Sequence, residues 1–188
     1  MRKIVLHMHT SLDGVVSDPE KWATISDEIL ADAIEYYNNL DAIIVGSKTY
    51  PSLAEYWQNA ETASQSALER AFAKKINEIK KRVISRSETK LVWNNSQQLT
   101  INDSESLARE IRNLKKSEGK DISVEAGAKT WQLFLQNLLF DEIVLYVHPI
   151  IAGEGTKLFD DVRKITMRLI NTTVFEDGIV RLHYQKIA

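Results

Sequence analysis

Residues 124–159 of this 188-residue chain read VEAGAKTWQLFLQNLLFDEIVLYVHPIIAGEGTKLF. The segment begins inside an apolar strand candidate (121–127) and continues with apolar residues at helical spacing (128–139). A continuous apolar run (141–151), interrupted near its end by a proline, follows. A strand, a helix and a second strand in this order predict a parallel βαβ unit, and this unit decides the fold class.

A glycine-rich segment, AGEGTKLFDD, follows at 152–161. It does not match the phosphate-binding P-loop, G-x-x-x-x-G-K-[ST], because its lysine comes after its threonine. It does not match the dinucleotide fingerprint either, which needs a third glycine, a helix and a place after the first strand of a βαβ unit. Taken by themselves, Gly153 and Gly155 therefore indicate a turn.

The alternation of strands and helices extends through the rest of the chain. It predicts a single domain over residues 1–188 with a three-layer α/β fold: a mostly parallel sheet, helices on both faces and a C-terminal antiparallel hairpin. The predicted strands are 3–10, 41–46 and 81–85, with weaker candidates at 90–94 and 98–101; the predicted helices are 26–40, a short one opening at 47–57, 60–80 and 104–119; the hairpin spans 165–188 and turns at 176–178.

The composition excludes several classes of protein. The net charge of −2 lacks the basic excess typical of nucleic-acid binding. The chain has no cysteine, which excludes disulfides and cysteine-based metal sites and fits a reducing compartment. No segment approaches the ~20 apolar residues of a membrane span, and the N-terminal apolar run is too short for a signal peptide. We therefore expect a soluble cytoplasmic protein without nucleic-acid or membrane partners.

In sheets of this kind, ligands bind beyond the carboxyl ends of the strands. Gly46 ends one strand before Ser47-Lys48-Thr49, and Gly127 ends another before Ala128-Lys129-Thr130. Helix starts at these two places would favour an anion such as a dinucleotide phosphate, although glycine also serves simple tight turns. Arg86, after Ser85, suits a phosphate monoester such as the 2′-phosphate of NADP, or is a solvated surface arginine.

Histidines and an aspartate lie at the same predicted edge. His7 and His9 alternate along the first strand and share a face, but no third ligand stands at a recognisable spacing, so a metal site is not predicted. His148, at a strand end, and Asp13, in the loop after the first strand, are candidates for substrate polarisation or proton delivery. A capped histidine and an Asp-Gly turn are the structural alternatives.

The order of these motifs resembles the dihydrofolate reductase superfamily. The segments that carry the resemblance are SLDGVVSDPEKW, DAIIVGSKTY, KRVISRS and the stretch 124–159. The chain is most similar to the branch that includes the C-terminal reductase domain of bacterial riboflavin biosynthesis (RibD-like) proteins. The resemblance covers nearly the whole chain, with residues 55–80 the least diagnostic.

The resemblance implies an NADPH-dependent reductase. It implies that the loop of residues 153–155 packs against the flexible loop of residues 13–22, so that the glycines allow close backbone approach and lid motion rather than phosphate binding. It also implies a homodimer. The residues that it assigns to NADPH are Gly46, Ser47, Lys48 and Thr49 at the phosphates, Ser85 and Arg86 at the 2′-phosphate, and Ala126, Gly127, Ala128, Lys129 and Thr130 at the pyrophosphate and nicotinamide; those assigned to the substrate side are Trp22, Leu30 and Gly153.

Three departures from the family pattern bear on the substrate. Ala126-Gly127 replaces Gly-Gly, Glu125 brings a negative charge beside a proposed phosphate site, and Leu30 stands where dihydrofolate reductases carry a carboxylate. We therefore expect hydride transfer from NADPH to a C=N or C=O bond of a small, pterin- or pyrimidine-like substrate. A non-catalytic nucleotide-binding protein and a flavin-dependent reductase are the alternatives.

Overall fold

The computed structural model describes residues 1–160 and 162–187. Within these residues, strands and helices alternate as the sequence predicts, and the chain ends in an antiparallel pair of strands. The strands are β1 (Ile4–Ser11), β2 (Leu40–Gly46), β3 (Lys80–Ser85), β4 (Ser96–Thr100), β5 (Asp121–Val124), β6 (Glu142–His148), β7 (Met167–Val174) and β8 (Val180–Lys186); the helices are α1 (Asp27–Tyr37), α2 (Tyr50–Ala63), α3 (Ala67–Glu78), α4 (Ser104–Lys116) and α5 (Ala128–Gln136), with a 3-10 turn at Pro19–Lys21.

The described strands pair mostly in parallel, and the last two form an antiparallel pair, which confirms the predicted α/β class and the C-terminal hairpin. The chain forms two compact units. The first unit comprises Met1–Arg2 and Ile25–Ser123, and the second comprises Lys3–Thr24 and the chain from Val124 onward. The single-domain span of 1–188 stays a prediction, and its last residue lies outside the described part.

In the first unit, the strand order is β4-β3-β2-β5, and β3 pairs in parallel with both β2 and β4. Apolar side chains of α1, α2 and α3 pack with those of β2 and β3 in one core. Leu30 on α1 belongs to that core and is 6% exposed. Burial of such a side chain stabilises the fold by ~1.5–3 kcal/mol.

In the second unit, β1 pairs in parallel with β6, and β6, β8 and β7 pair antiparallel in that order. The register places His9 opposite Tyr146 and Ser11 opposite His148. Because side chains alternate across a strand, these residues and His7 share one face of the sheet.

Two local predictions are wrong. Residues 60–80 do not form one helix, because α2 ends at Ala63 and α3 begins at Ala67 after Ser66 caps it. The Ser66 hydroxyl accepts the amide of Glu69, which satisfies an N–H that a continuous helix would have paired internally. Residues 90–94 form no strand; instead, the Tyr50 hydroxyl accepts the amides of Val92 and Trp93.

Candidate functional site

The turn between β2 and α2 lies in the first unit, and several of its amide and hydroxyl groups already donate to backbone carbonyls. The Ser47 amide donates to the carbonyl of Ile84 at 3.0 Å, and the amide and hydroxyl of Thr49 both return to the carbonyl of Gly46. The helix therefore begins at Tyr50, three residues after Ser47, where the sequence predicts its start. Lys48 is exposed and remains the side chain of this turn best placed to meet an anion.

The end of β3, also in the first unit, presents Arg86 to solvent directly after the buried Ser85. The Ser85 hydroxyl accepts the Ser87 amide at 3.2 Å. Gln98 on β4 holds the following turn from the side, because its amide group donates to the carbonyl of Ser87 at 3.0 Å and accepts the amide of Thr89 at 2.8 Å. The exposed guanidinium thus stands on a turn fixed at both ends, a geometry that suits a phosphate monoester.

The start of α5 lies in the second unit and has no side-chain cap. Gly127 is the N-cap residue, and its carbonyl accepts the amides of Thr130 and Trp131. The amides of Ala128 and Lys129, in the first turn, have no acceptor within the helix. Such amides and the helix dipole favour a negatively charged group. The Ala126–Gly127 bond is trans, since the described residues contain no cis peptide.

Trp131 lies one turn into α5 and is fully buried. Its ring meets the ring of Phe159 edge to face at 5.9 Å between centroids. The indole N–H has no hydrogen-bond acceptor among the described residues. A buried, unsatisfied donor is costly, by ~1–3 kcal/mol, and such groups recur where a ligand supplies the partner.

The loop after β1 and the loop after β6 pack against each other, as the family resemblance implies. Backbone bonds link Leu12 to Ile150, Val16 to Thr156 and Leu158 to Gly14. Gly155 has φ +133°, and a β-carbon there would lie 2.6 Å from both the Ser17 hydroxyl and Val15. These contacts confirm the predicted close backbone approach at this glycine.

Asp13 joins the same two loops. Its carboxylate accepts the amides of Ala152 and Gly153 at 3.0 and 3.1 Å and forms an ion pair with Lys157 at 2.8 Å. The hydrogen bonds from Lys157, Ser11 and these amides hold the pKa of Asp13 far below its usual range. An ionised carboxylate with this many donors is a structural clamp and a poor proton donor.

His148 is buried beneath the loop that follows β1 and is not exposed at the end of its strand. Its Nδ1 accepts the Thr24 amide at 3.4 Å, and the Trp22 ring stands edge-on at 5.4 Å. Its Nε2 lies 2.9 Å from Nδ1 of His9. Because Nδ1 acts as an acceptor, the neutral ring carries its hydrogen on Nε2 and donates it to His9. The pKa of His148 is lowered by burial, although Asp177 opposes the shift.

A contact between a histidine and a glutamate on the same face of the sheet was not predicted from the sequence. His7 Nδ1 lies 2.9 Å from the carboxylate of Glu125, whose side chain is 16% exposed. The ring of Tyr146 packs against both β1 histidines, stacked on His9 at 4.6 Å and edge-on to His7 at 5.2 Å. The His-x-His spacing and the odd position of Glu125 were the available signals, but their pairing depends on β1 meeting the end of β5.

The predicted substrate residues occupy different environments. Leu30 is buried in the core of the first unit, so it contributes packing there rather than an open substrate surface. Trp22 is half-buried against His148, and its indole N–H donates to the Ser17 carbonyl. Gly153 is exposed, with its amide bound to Asp13.

The mostly parallel sheet with its C-terminal antiparallel hairpin defines a dihydrofolate reductase-like domain. The sequence matches the RibD C-terminal domain family over residues 2–181. The chain therefore belongs to this family. Among the helices that the structure describes, none is long and apolar enough to cross a membrane.

Relatives with known sequences or structures agree with this assignment. The uncharacterized protein YyaP of Bacillus subtilis (strain 168) is 30% identical over 187 residues, covering 97% of this chain and 94% of YyaP. The crystal structure of a putative riboflavin biosynthesis protein from Shewanella sp. PV-4 has a TM-score of 0.69 at 18% identity and covers 99% of both chains.

A longer protein shares the same fold over part of its length. The Thermotoga maritima protein described as a diaminohydroxyphosphoribosylaminopyrimidine deaminase and 5-amino-6-(5-phosphoribosylamino)uracil reductase has a TM-score of 0.65 at 19% identity. The match covers 99% of this chain and 57% of that protein. At this identity, the likeness concerns the fold alone.

Proposed function

We propose that the protein is an NADPH-dependent reductase that transfers a hydride to a C=N or C=O bond of a small, pterin- or pyrimidine-like substrate. The observation that carries the proposal is the uncapped start of α5, directly after Gly127, in a chain of the RibD C-terminal domain family. First-turn amides without an acceptor need an anion or water, and the diphosphate of a dinucleotide meets that need.

The residues of the first unit fit the adenosine end of NADPH. Arg86 would pair with the 2′-phosphate, with Ser85 beside it and Lys48 reaching a phosphate from the β2–α2 turn. Ser47 and Thr49 would act through the shape of that turn, because their amides already have acceptors. NADH lacks the 2′-phosphate, so Arg86 gives a physical reason for a preference for NADPH.

The residues of the second unit fit the other end of the cofactor. The amides of Ala128 and Lys129 would hold the pyrophosphate, with Gly127 and Thr130 lining the helix start. NADPH supplies the hydride when bound. The buried indole N–H of Trp131 provides a further donor for a cofactor or substrate oxygen.

The experiment that tests the proposal is NADPH consumption, followed by absorbance, with named acceptors. The panel contains 5-amino-6-(5-phosphoribosylamino)uracil, after the name of the Thermotoga maritima enzyme, together with 7,8-dihydropterin and the cyclic imine 1-pyrroline. We expect turnover with at least one acceptor, and slower turnover with NADH. NADPH consumption no faster than the blank with every acceptor would contradict the proposal.

A second candidate function, nucleotide binding without catalysis, is favoured by one observation. Leu30 is buried and apolar where dihydrofolate reductases carry a carboxylate, so this usual substrate contact is missing from α1. This alternative predicts NADPH binding with no acceptor reduced. Binding and turnover measured on the same preparation separate the two functions.

We also propose that the protein forms a homodimer through β7. This strand is the edge of the sheet, and its Leu169, Ile170 and Val174 side chains are 50%, 47% and 71% exposed. An exposed apolar edge strand favours pairing with a second chain. Light scattering should give twice the 21.5 kDa chain mass, and Ile170→Lys should shift the protein to monomer. A monomeric wild-type protein would contradict the dimer.

A further inference from the structure

Reduction of a C=N or C=O bond needs a proton as well as a hydride, and the two side chains expected to supply it do not suit the task. Asp13 is ionised and held by Lys157 and two backbone amides. His148 has both ring nitrogens in contact, one with the Thr24 amide and one with His9. The source of the proton therefore has to be sought elsewhere on the same face of the sheet.

His7 and Glu125 form an acid–base pair on that face. The 2.9 Å contact joins Nδ1 of His7 to a carboxylate oxygen of Glu125, and the two side chains are 8% and 16% exposed. The carboxylate accepts the Nδ1 hydrogen and so orients the ring. Nε2 is then the nitrogen that exchanges a proton, as in other histidines oriented by a carboxylate.

The position of Glu125 in the chain places the pair beside the proposed cofactor contacts. Glu125 directly follows β5, and only Ala126 separates it from Gly127, the N-cap of α5. A carboxylate near a diphosphate would weaken binding if it faced the phosphates. Its contact with His7 turns it toward β1 instead, which explains how it coexists with an anion site at the helix start.

We infer that His7 is the proton donor of the reaction and that Glu125 is its positioning residue, an inference that rests on the proposed function. The hydride adds to the carbon of the C=N or C=O bond, and the π-electron pair moves to the nitrogen or oxygen. That atom takes the Nε2 proton of the His7 imidazolium. In the neutral ring that remains, the hydrogen stays on Nδ1 and is donated to the Glu125 carboxylate. Nε2 then regains a proton from solvent.

Glu125 is the acidic member of the pair. It lies on the β5–α5 connection and acts through the His7 imidazole rather than directly. His9 and Tyr146 also face His7, with rings 5.9 and 5.2 Å away. Neither of these groups is a carboxylate, whereas Glu125 is one and contacts Nδ1 of His7 at 2.9 Å.

The chain contains a matched control for this pair. His183 on β8 contacts Glu142 at 2.9 Å in the same kind of histidine–glutamate contact. His183 is not among the proposed cofactor or substrate residues. A substitution of His183 therefore tests for general effects of losing such a pair.

The test is a histidine NMR titration with a readout that does not depend on turnover. The four histidines are labelled at ring carbon ε1 and assigned with single His→Gln variants. The titration midpoint of each ring is measured free, with NADPH and with NADP⁺. The oxidised nicotinamide carries a positive charge, so it should lower the His7 midpoint by about 0.5–2 pH units while NADPH does not. The His183 midpoint should stay constant.

Turnover gives the second readout. With each acceptor of the panel that the wild type reduces, His7→Gln should lower kcat ~10²–10⁴-fold at unchanged NADPH affinity, and His183→Gln should not. Glu125→Gln should lower kcat and change the pH profile. An unmoved His7 midpoint with NADP⁺ bound, or wild-type kcat in His7→Gln, would overturn the inference while the proposed function stands. Absence of NADP(H) binding, or of any reduced acceptor, would overturn both.

Discussion

Nδ1 of His9 lies 2.9 Å from Nε2 of His148, so two imidazole rings share one hydrogen bond beneath the loop after β1. Burial and the neighbouring rings of His7 and His148 lower the pKa of His9, and burial lowers the pKa of His148. The pair is therefore neutral at neutral pH. A proton on Nδ1 of His148 breaks its contact with the Thr24 amide, and a proton on Nδ1 of His9 breaks the contact between the two rings.

Acid should destabilise the protein through this pair. In the unfolded chain, histidine titrates near pH ~6.5, whereas the folded-state pKa values of both rings are lower. Below pH ~6.5, the unfolded state therefore binds more protons than the folded state does. The contribution of the pair to stability is complete above this pH and is lost as the pH falls below it. Urea unfolding at pH 7.5 and 5 should show this loss for the wild type.

The double variant His9→Gln, His148→Gln tests the origin of the pH dependence. Its free energy of unfolding should change less between the two pH values than that of the wild type, because neither position titrates. Gln97→Ala, which removes no titratable group, is the control and should retain the wild-type difference. Equal pH dependence in the wild type and the double variant would contradict this account.

Gly155→Ala should destabilise the protein more than Gly153→Ala. Both glycines have positive φ, at +133° and +78°, so each substitution costs backbone strain of ~1–2 kcal/mol. At Gly155, the new carbon also meets Ser17 and Val15 at 2.6 Å, which adds ~1–3 kcal/mol; at Gly153, it meets nothing within 4 Å. Urea denaturation measures the difference, and equal losses would contradict the packing of these two loops.

Gln98→Ala should weaken NADPH binding ~3–10-fold and leave NADH binding unchanged, because it frees the turn that carries Arg86. Gln97→Ala is the matched control: this neighbouring side chain contacts Arg82 and not the turn. Titration calorimetry with both nucleotides gives the comparison. Equal weakening of NADPH and NADH in Gln98→Ala would point to a general loss of structure instead.

Lys81 should make stability depend on alkaline pH. It is fully buried, its ammonium donates to the carbonyls of Asn77 and Asn94, and burial lowers its pKa to about 8. Between pH ~8 and ~10.4, the unfolded chain holds a proton that the folded chain has released. The stability of the wild type relative to Lys81→Met should therefore rise as the pH increases from 8 to 10. A constant difference would mean that Lys81 stays charged when folded.

The sequence was sufficient for the fold because the apolar runs and helix periods are strong and local. The β1 and β2 strands, α5 and the hairpin turn at Glu176-Asp177-Gly178 follow from residues close together in the chain. The break between α2 and α3 does not follow from the sequence pattern. Ser64 and Ser66 lie in an alanine-rich stretch that predicts a continuous helix, although Ser66 is the N-cap of α3. Asp103 caps α4, since its side chain accepts the amide of Ser106.

The candidate site was less predictable, because its key contacts join residues far apart in the chain. The pairing of His7 with Glu125 spans 118 residues, and that of Asp13 with Lys157 spans 144. The sequence patterns indicate a proton-transfer role for Asp13 and an unfavourable negative charge at Glu125. Only the fold shows that each carboxylate already has a partner.

The measurement that tests the central claim most directly is equilibrium titration with NADPH and NADH, followed by fluorescence, on the wild type, Arg86→Ala and Arg112→Ala. The account predicts micromolar binding of NADPH by the wild type, weaker binding of NADH, and a loss of this preference by ~10-fold or more in Arg86→Ala. Arg112→Ala, which removes an exposed arginine on α4, should bind like the wild type. No binding of either nucleotide, or an unchanged preference in Arg86→Ala, would contradict the account.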